Sequence, residues 1–391
     1  MWWLYISLAP VYWLPYVPQR LLELFKAGLI GVGAVTAVVY GIGSSKVRYS
    51  RGFLGIVGFS VLLLSISPGL IQGIPDSSIK MFLNISYAFC TFLSFQVLVQ
   101  SKKDVVELFS YASLVIGGLG MYSVFAGLGI APDFVAPRKF NGTTVSISGF
   151  TGLRTGWSNG IALYVPFAAY LIVWHHRVLI KIAAALAILG IFLSQLTVAG
   201  RSGLLATIFG CVSMLCIFGK RYMIVAGLIV GGVLIVTYLP QLEGHLRLDR
   251  VEGGFDMKSV DHLSAGRIES YTYALDNIVS NPLTGVGFGY TDRSGHSVHN
   301  MLLRFTAETG LIFLFVFVGI AFSALTRCVK RRRISVYAMV GVVVVQGLMI
   351  AQFEPSALMG SFQNSALWWA VLGIIAGLAY TDQSDLKSIK S

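Results

Sequence analysis

Apolar runs long enough to cross a bilayer recur along most of this chain, and short polar connections separate them. A membrane-spanning helix needs about 20 apolar residues, and by that measure the sequence predicts about twelve spans. The predicted spans cover approximately residues 2–17, 21–43, 52–74, 79–100, 105–130, 157–174, 178–198, 202–219, 222–239, 300–325, 334–352 and 365–380. The first segment lacks a basic leader and a small-residue cleavage site, so we expect a retained span and not a signal peptide.

Two connections are long, at residues 131–156 and 240–299, and they divide the chain into parts. We expect four parts: N-terminal transmembrane helices (1–130), central transmembrane helices with the first outer loop (131–239), an outer loop with an amphipathic helix (240–299), and C-terminal transmembrane helices with a tail (300–391).

The amphipathic helix in the second long loop is predicted by apolar residues that recur at helical spacing. These are Ile268, Tyr271, Leu275 and Ile278. Ser264 is a candidate N-cap, and the Asn281-Pro282 dipeptide ends the helical pattern.

Composition agrees with a polytopic membrane protein. The chain is 55% hydrophobic and 12% charged, with a mean hydropathy of +0.76. The formal charge of +12 does not indicate a nucleic-acid partner, because most Lys and Arg residues lie in short loops where they set topology. With the N-terminus inside, every strongly basic short loop falls on the cytoplasmic side. The four cysteines lie in or beside apolar runs and are expected to be core residues without disulfides.

This orientation puts three features on the outer side: the two long loops, the "AGRSG" turn and the "HSVHN" cluster. Basic residues on that side need another explanation, because Lys and Arg favour cytoplasmic loops. Arg201 is flanked by Gly200 and Gly203, which would let backbone N–H groups and a helix start approach the same anion. The alternative is an interfacial arginine whose side chain reaches lipid headgroups.

Arg267 falls in the first turn of the amphipathic helix, where a cation opposes the helix dipole unless an external anion binds there. The alternative is an exposed arginine paired with Asp261 or Glu269. Arg154 precedes the sixth span in a Gly/Ser/Thr-rich loop and is a weaker candidate.

His299 is the candidate base on the outer face, since histidine takes up a proton near neutral pH. It could instead be a headgroup-level histidine. His296 and His299 could also be metal ligands, but the outer loops offer no third ligand at suitable spacing, so no metal is expected. Asn300, His296 and Glu354 are accessory candidates, although Glu354 could equally be a simple interfacial acid.

Two further patterns have ordinary structural interpretations. "GVGFG" at residues 285–289 follows no strand and is interpreted as a flexible turn, not a dinucleotide loop. The tryptophans are interpreted as interfacial anchors. They are Trp2, Trp3, Trp13, Trp368 and Trp369.

Three stretches together resemble the bacterial O-antigen ligase and polysaccharide polymerase family. "AGRSGLLA" resembles its arginine motif, and "SAGRIESYTYALDNIVSNPLTGVGFG" its Gly-Arg, helix, Asn-Pro-Leu and Gly-x-Gly pattern. The ligase histidine motif is similar to His299, Asn300, nine residues, Gly310, two residues and then Phe313, where the family has a small residue or tyrosine. The resemblance covers residues 145–325, and Phe313 slightly favours a polymerase over a ligase.

The resemblance implies an all-α, GT-C-like integral membrane glycosyltransferase of the inner membrane whose active site faces the periplasm. Its donor would be an undecaprenyl-diphosphate-linked glycan, and its acceptor a second glycan or the lipid A core. Transfer would invert the anomeric carbon without a metal or other cofactor. By motif, His299 would be the base, and Arg201 and Arg267, with Arg154 less securely, would bind the diphosphate. Membrane lipids and a chain-length regulator protein are the other expected partners.

Two competing classes remain. A multi-pass transporter or lipid-linked glycan flippase would have a similar number of spans, but transporters place ionisable groups near the midplane and often show repeated halves. A scaffold presenting an outer loop would leave the arginine placements unexplained.

Overall fold

The computed structural model describes residues 75–99, 101–128, 130–131, 137–140, 143–147, 154–198, 200–218, 267–287, 289–333, 335–354, 358 and 362–388, with isolated positions at 28, 31, 32, 35 and 39. The predicted spans 2–17, 52–74 and 222–239 lie outside these residues, as do Asp261 and Ser264, and 21–43 is described only at the isolated positions.

The described part of the chain is helical apart from one short antiparallel hairpin. Its elements are α1 (Pro75–Leu98), α2 (Lys102–Gly127), β1 (Pro137–Phe140), β2 (Thr143–Ile147), α3 (Arg154–Ala162), α4 (Val165–Trp174), α5 (Val178–Thr197), α6 (Arg201–Phe218), α7 (Arg267–Ser280), α8 (Tyr290–Arg293), α9 (Met301–Thr309), α10 (Leu311–Lys330), α11 (Ser335–Ala351) and α12 (Phe362–Ser388).

Within the described residues, five helical segments are long and apolar enough to cross a membrane: 102–127, 155–174, 178–197, 201–218 and 311–330. Shorter apolar helices cover 335–351 and 365–378. The prediction of an all-α multi-pass membrane protein is confirmed, while the count of about twelve spans stays a prediction.

Contacts between small residues show the relative directions of neighbouring helices. Gly117 packs on Ala187 and Gly120 on Gly190, so α2 and α5 run parallel with their backbones close together. Likewise α12 runs parallel to α1, with Gly373 and Gly377 against the backbone of Phe92 and Gln96.

α3 and α6 also run parallel, because Gly200 and Gly203 both contact Ser158 while Ala162 and Ala206 meet the same glutamine. Gln346 donates from Nε2 to the Ala162 oxygen at 3.2 Å and to the Ala206 oxygen at 2.7 Å. The Ala162 carbonyl needs this donor, because the residue four positions on is Pro166, which has no N–H. The same proline explains the break between α3 and α4.

The described basic connections lie together at one end of the bundle, here called the basic end. They are residues 101–103, 175–177 and 327–333. The starts of α3, α6, α10 and α12 and the end of α11 lie at the opposite end, here called the site end. This arrangement follows from the parallel pairs above and the short connections between successive helices.

The core surrounds α11, most of which is buried. Trp368 and Trp369 belong to it, with exposed fractions of 0% and 5%, and the interpretation of these two as interfacial anchors is wrong. The Trp368 indole donates to the Val344 oxygen at 3.1 Å, and its ring stacks on Phe317 with centroids 5.4 Å apart. Trp2, Trp3 and Trp13 lie outside the described residues.

The predicted span 300–325 is two helices. Gly310 has φ +85, a conformation that L side chains rarely adopt, and it separates α9 from α10. Leu311 then donates its N–H to the Pro282 oxygen at 2.8 Å, so the turn that follows α7 is attached to the start of α10. The membrane-crossing helix therefore begins at Leu311.

Candidate active site at one end of the bundle

His299 and Asn300 begin α9 at the site end. Asn300 is the N-cap: its Oδ1 accepts from the Leu303 N–H at 3.0 Å, and its Nδ2 donates to Gln352 Oε1 at 3.0 Å. The His299 carbonyl oxygen accepts from the Tyr271 hydroxyl at 3.2 Å. The half-buried His299 is therefore held between α7, the start of α9 and the end of α11.

The Gly-rich turn packs closely against the C-terminal end of α9. Gly285 and Gly287 have φ +65 and +95 and are buried. The N–H groups of Val286 and Gly287 donate to the carbonyl oxygens of Ala307 and Glu308, each at 2.9 Å. A Cβ on Gly285 would meet the Glu308 backbone. The interpretation of "GVGFG" as a flexible turn is wrong, because the glycines permit a close, hydrogen-bonded approach to α9.

Sequence reasoning missed a buried ion pair in α9. Arg304 Nε lies 3.2 Å from Glu308 Oε1, and the Thr291 hydroxyl donates to the same oxygen at 2.6 Å. Arg304 is 5% exposed and Glu308 is 1% exposed. The available signal was a pair of opposite charges four residues apart in a stretch that was interpreted as membrane-spanning.

His296 contacts α7. Its ring stacks on Tyr273 with centroids 4.3 Å apart, and its Nδ1 lies 4.0 Å from Glu269 Oε1. Arg267 is the first residue of α7, as predicted, and is half-buried. In the described part of the chain, no three His, Cys, Asp or Glu side chains form a group that could hold a metal ion.

Arg201 is the first residue of α6 and is exposed. The residues around it fix the helix start. Ser158 donates to the Gly200 oxygen at 2.9 Å, and Ser202 donates to Asn159 Oδ1 at 2.8 Å. The guanidinium therefore extends from a firmly packed turn whose helix N-terminus favours anions.

Arg154 is the first residue of α3, and the parallel packing of α3 and α6 puts its backbone at the same end as Arg201. Glu354, half-buried, follows Gln352 at the end of α11. Phe313 lies away from this surface in an aromatic stack, 5.4 Å from Phe305 and 6.0 Å from Phe317 between ring centroids.

The site residues thus form two groups. The first, on α7, α9 and the end of α11, contains Arg267, His296, His299 and Asn300. The second contains Arg154 and Arg201 at the starts of α3 and α6. Helix α11 bridges them, since Gln346 contacts α3 and α6 while Gln352, about 9 Å further along the helix, contacts Asn300.

Comparison with known proteins gives one family. A family model described as O-antigen ligase matches residues 182–318, which is less than half of the chain but includes Arg201, Arg267 and His299. No curated protein matches the chain.

Proposed function

We propose that this chain transfers a glycan from undecaprenyl diphosphate to an acceptor hydroxyl, a proposal supported by the match of residues 182–318 to the family model described as O-antigen ligase. The reaction takes place at the periplasmic face of the inner membrane. One observation carries the proposal: the matched segment contributes Arg201, Arg267 and His299 to the same end of the helical bundle, opposite the basic end.

The arginines are proposed to bind the diphosphate. A guanidinium grips phosphate oxygens in pairs through its planar donor fork. Arg201 and Arg267 each begin a helix, so the positive end of the helix dipole adds to the charge of the side chain. Arg154, which begins α3, is a third candidate. Cations at the leaving group stabilise the charge that develops there and replace the acid that glycosidases use.

His299 is proposed as the general base. The imidazole takes the proton of the acceptor hydroxyl while that oxygen bonds to the anomeric carbon and the bond to the diphosphate oxygen breaks. A single displacement of this kind inverts the anomeric configuration and needs neither a metal nor another cofactor. The cap made by Asn300 and the Tyr271 hydrogen bond to the His299 carbonyl support the role by holding the backbone beside the base. His296 and Glu354 are accessory candidates.

The acceptor is a second lipid-linked glycan in a polymerase, or the lipid A core in a ligase. Membrane lipids surround the site, and a chain-length regulator is the proposed protein partner. The slight preference for a polymerase that Phe313 implies stays a prediction, and the Phe313 ring lies in a core stack.

The test is His299→Ala in cells, with the variant inserted at the normal level and cellular glycans displayed on a gel. We expect loss of long chains, with single repeats remaining for a polymerase, or free lipid-linked polymer and a bare acceptor for a ligase. His176→Ala is the matched control, because His176 is exposed at the basic end. Full-length ladders from His299→Ala would contradict the proposed base.

A further inference from the structure

Helix α7 has three distinct faces. Ser270 and Ala274 are buried on the side that packs on α9, and Glu269 and Asp276 form an exposed acidic side. A third face is apolar and exposed; at 3.6 residues per turn it lies about 90° around the helix from the acidic side and about 140° from Ser270 and Ala274. Its apolar residues are Ile268, Leu275 and Val279, with exposed fractions of 36%, 52% and 79%.

The apolar stripe predicted from the sequence combined residues of this exposed face with residues of the buried face. Of the predicted apolar stripe, Tyr271 and Ile278 pack against the small core formed with α9, whereas Ile268 and Leu275 point away from it. The helix therefore carries more apolar surface than its packing on the bundle uses.

The exposed apolar face continues onto the surface of a membrane span. Leu283, in the turn after α7, is 64% exposed. The neighbouring Pro282 accepts the hydrogen bond from Leu311, the first residue of α10, at 2.8 Å. Ile312 and Phe315 then begin the row of exposed apolar side chains along α10, with exposed fractions of 39% and 71%. Such a row on a membrane span faces lipid.

We propose that the third face of α7 lies in the interfacial layer of the bilayer at the site end, with the acyl chains of that leaflet as its partner. Continuity with the lipid-facing row of α10 selects lipid as the occupant. The acidic face then points to water, which is the arrangement of an interfacial amphipathic helix.

This placement has a consequence for the substrate, and that part rests on the proposed function. Arg267, at the start of α7, is held at the depth of lipid phosphates. A diphosphate-linked lipid could then reach Arg267 by lateral diffusion without leaving the membrane.

The proposal is tested by fluorescence quenching on the full chain in vesicles of phosphatidylethanolamine and phosphatidylglycerol. An environment-sensitive label is placed at Leu275→Cys, Val279→Cys or, as the matched control on the acidic face, Asp276→Cys. The native cysteines are replaced first, and a thermal unfolding midpoint near that of wild type shows that the protein still folds.

We expect brominated acyl chains to quench the label at Val279→Cys and Leu275→Cys, while aqueous iodide quenches it at Asp276→Cys. Iodide quenching at Val279→Cys equal to that at Asp276→Cys would overturn the proposal. Protection of Val279→Cys from both quenchers would also overturn it, since another protein surface would then cover this face. Neither readout depends on catalysis, so the outcome is independent of the proposed function.

Discussion

At the scale of single residues, the Arg304–Glu308 pair is a buried ion pair in α9, the helix that follows His299. Both side chains are almost wholly buried, and the same helix end receives the N–H groups of the Gly-rich turn. Breaking a buried ion pair leaves a charge that neither water nor a partner compensates, which costs about 3–5 kcal/mol.

Glu308→Gln is therefore expected to destabilise the protein by about 3–5 kcal/mol, because a neutral amide replaces the carboxylate that Arg304 contacts. Thermal unfolding of the purified protein in detergent, followed by circular dichroism, measures the effect.

Glu107→Gln is the control. Lys103 and Glu107 have the same spacing and order on α2, but their side chains are 82% and 52% exposed. Exposed pairs contribute little, so this variant should unfold near the wild-type midpoint. Equal unfolding midpoints for the two variants would show that the buried Arg304–Glu308 pair stabilises the protein no more than the exposed pair does.

Sequence reasoning placed Arg267 in the first turn of a helix that ends before Asn281-Pro282, as the structure has it, because apolar spacing and helix-ending residues are local signals. It missed the Arg304–Glu308 pair because hydropathy does not show whether a charged residue in an apolar stretch faces lipid or the protein interior. In the structure both side chains are buried, and Glu308 accepts a hydrogen bond from the Thr291 hydroxyl. The catalytic and binding roles of the named site residues stay predictions.

At the scale of elements, the contact of α3 with α6 sets where Arg201 and Arg154 begin their helices. Gly203 has no room for a side chain, since a Cβ there would meet the hydroxyl and backbone of Ser158. A Cβ added at Gly319 on α10 would meet no atom within 4 Å.

Gly203→Ala should push α6 away from α3 and reduce glycan transfer and thermal stability together, because close packing of helices in a membrane depends on small residues. Gly319→Ala should leave both unchanged. Transfer is read from the glycan ladder and stability from the unfolding midpoint. A Gly203→Ala protein with wild-type values in both assays would show that the contact does not position Arg201.

The existence of the described spans was predictable from hydropathy, but their ends and faces were not. The sequence predicts one continuous helix over residues 300–325, but Gly310, with its positive φ, divides this segment into two helices. Tryptophan is typical of membrane-interface belts, yet the indoles of Trp368 and Trp369 donate to the Val344 and Leu358 oxygens inside the bundle. The division at Gly310 and the burial of the two tryptophans depend on tertiary contacts, which the periodicity of the sequence does not predict.

At the scale of the whole molecule, the two ends of the bundle differ in charge pattern. The positive-inside bias predicts that the basic end lies in the cytoplasm and the site end in the periplasm. Ser297→Cys and Arg332→Cys, both at exposed positions, report on the two ends in a background without native cysteines.

A membrane-impermeant maleimide should label Ser297→Cys in intact spheroplasts and Arg332→Cys only after lysis. Detergent-solubilised protein, in which both sites are open to water, controls for reactivity. The reverse pattern would place the candidate site in the cytoplasm and contradict the proposed orientation.

The proposed reaction is tested most directly by glycan transfer with the purified protein in vesicles, with an undecaprenyl-diphosphate-linked oligosaccharide as donor and a chelator present. The wild-type protein and His176→Ala should transfer the glycan at similar rates. His299→Ala and Arg201→Ala should each be slower by about 100- to 1000-fold, the loss typical of removing one well-placed catalytic group. Wild-type rates from His299→Ala and Arg201→Ala would show that neither side chain takes part in the transfer.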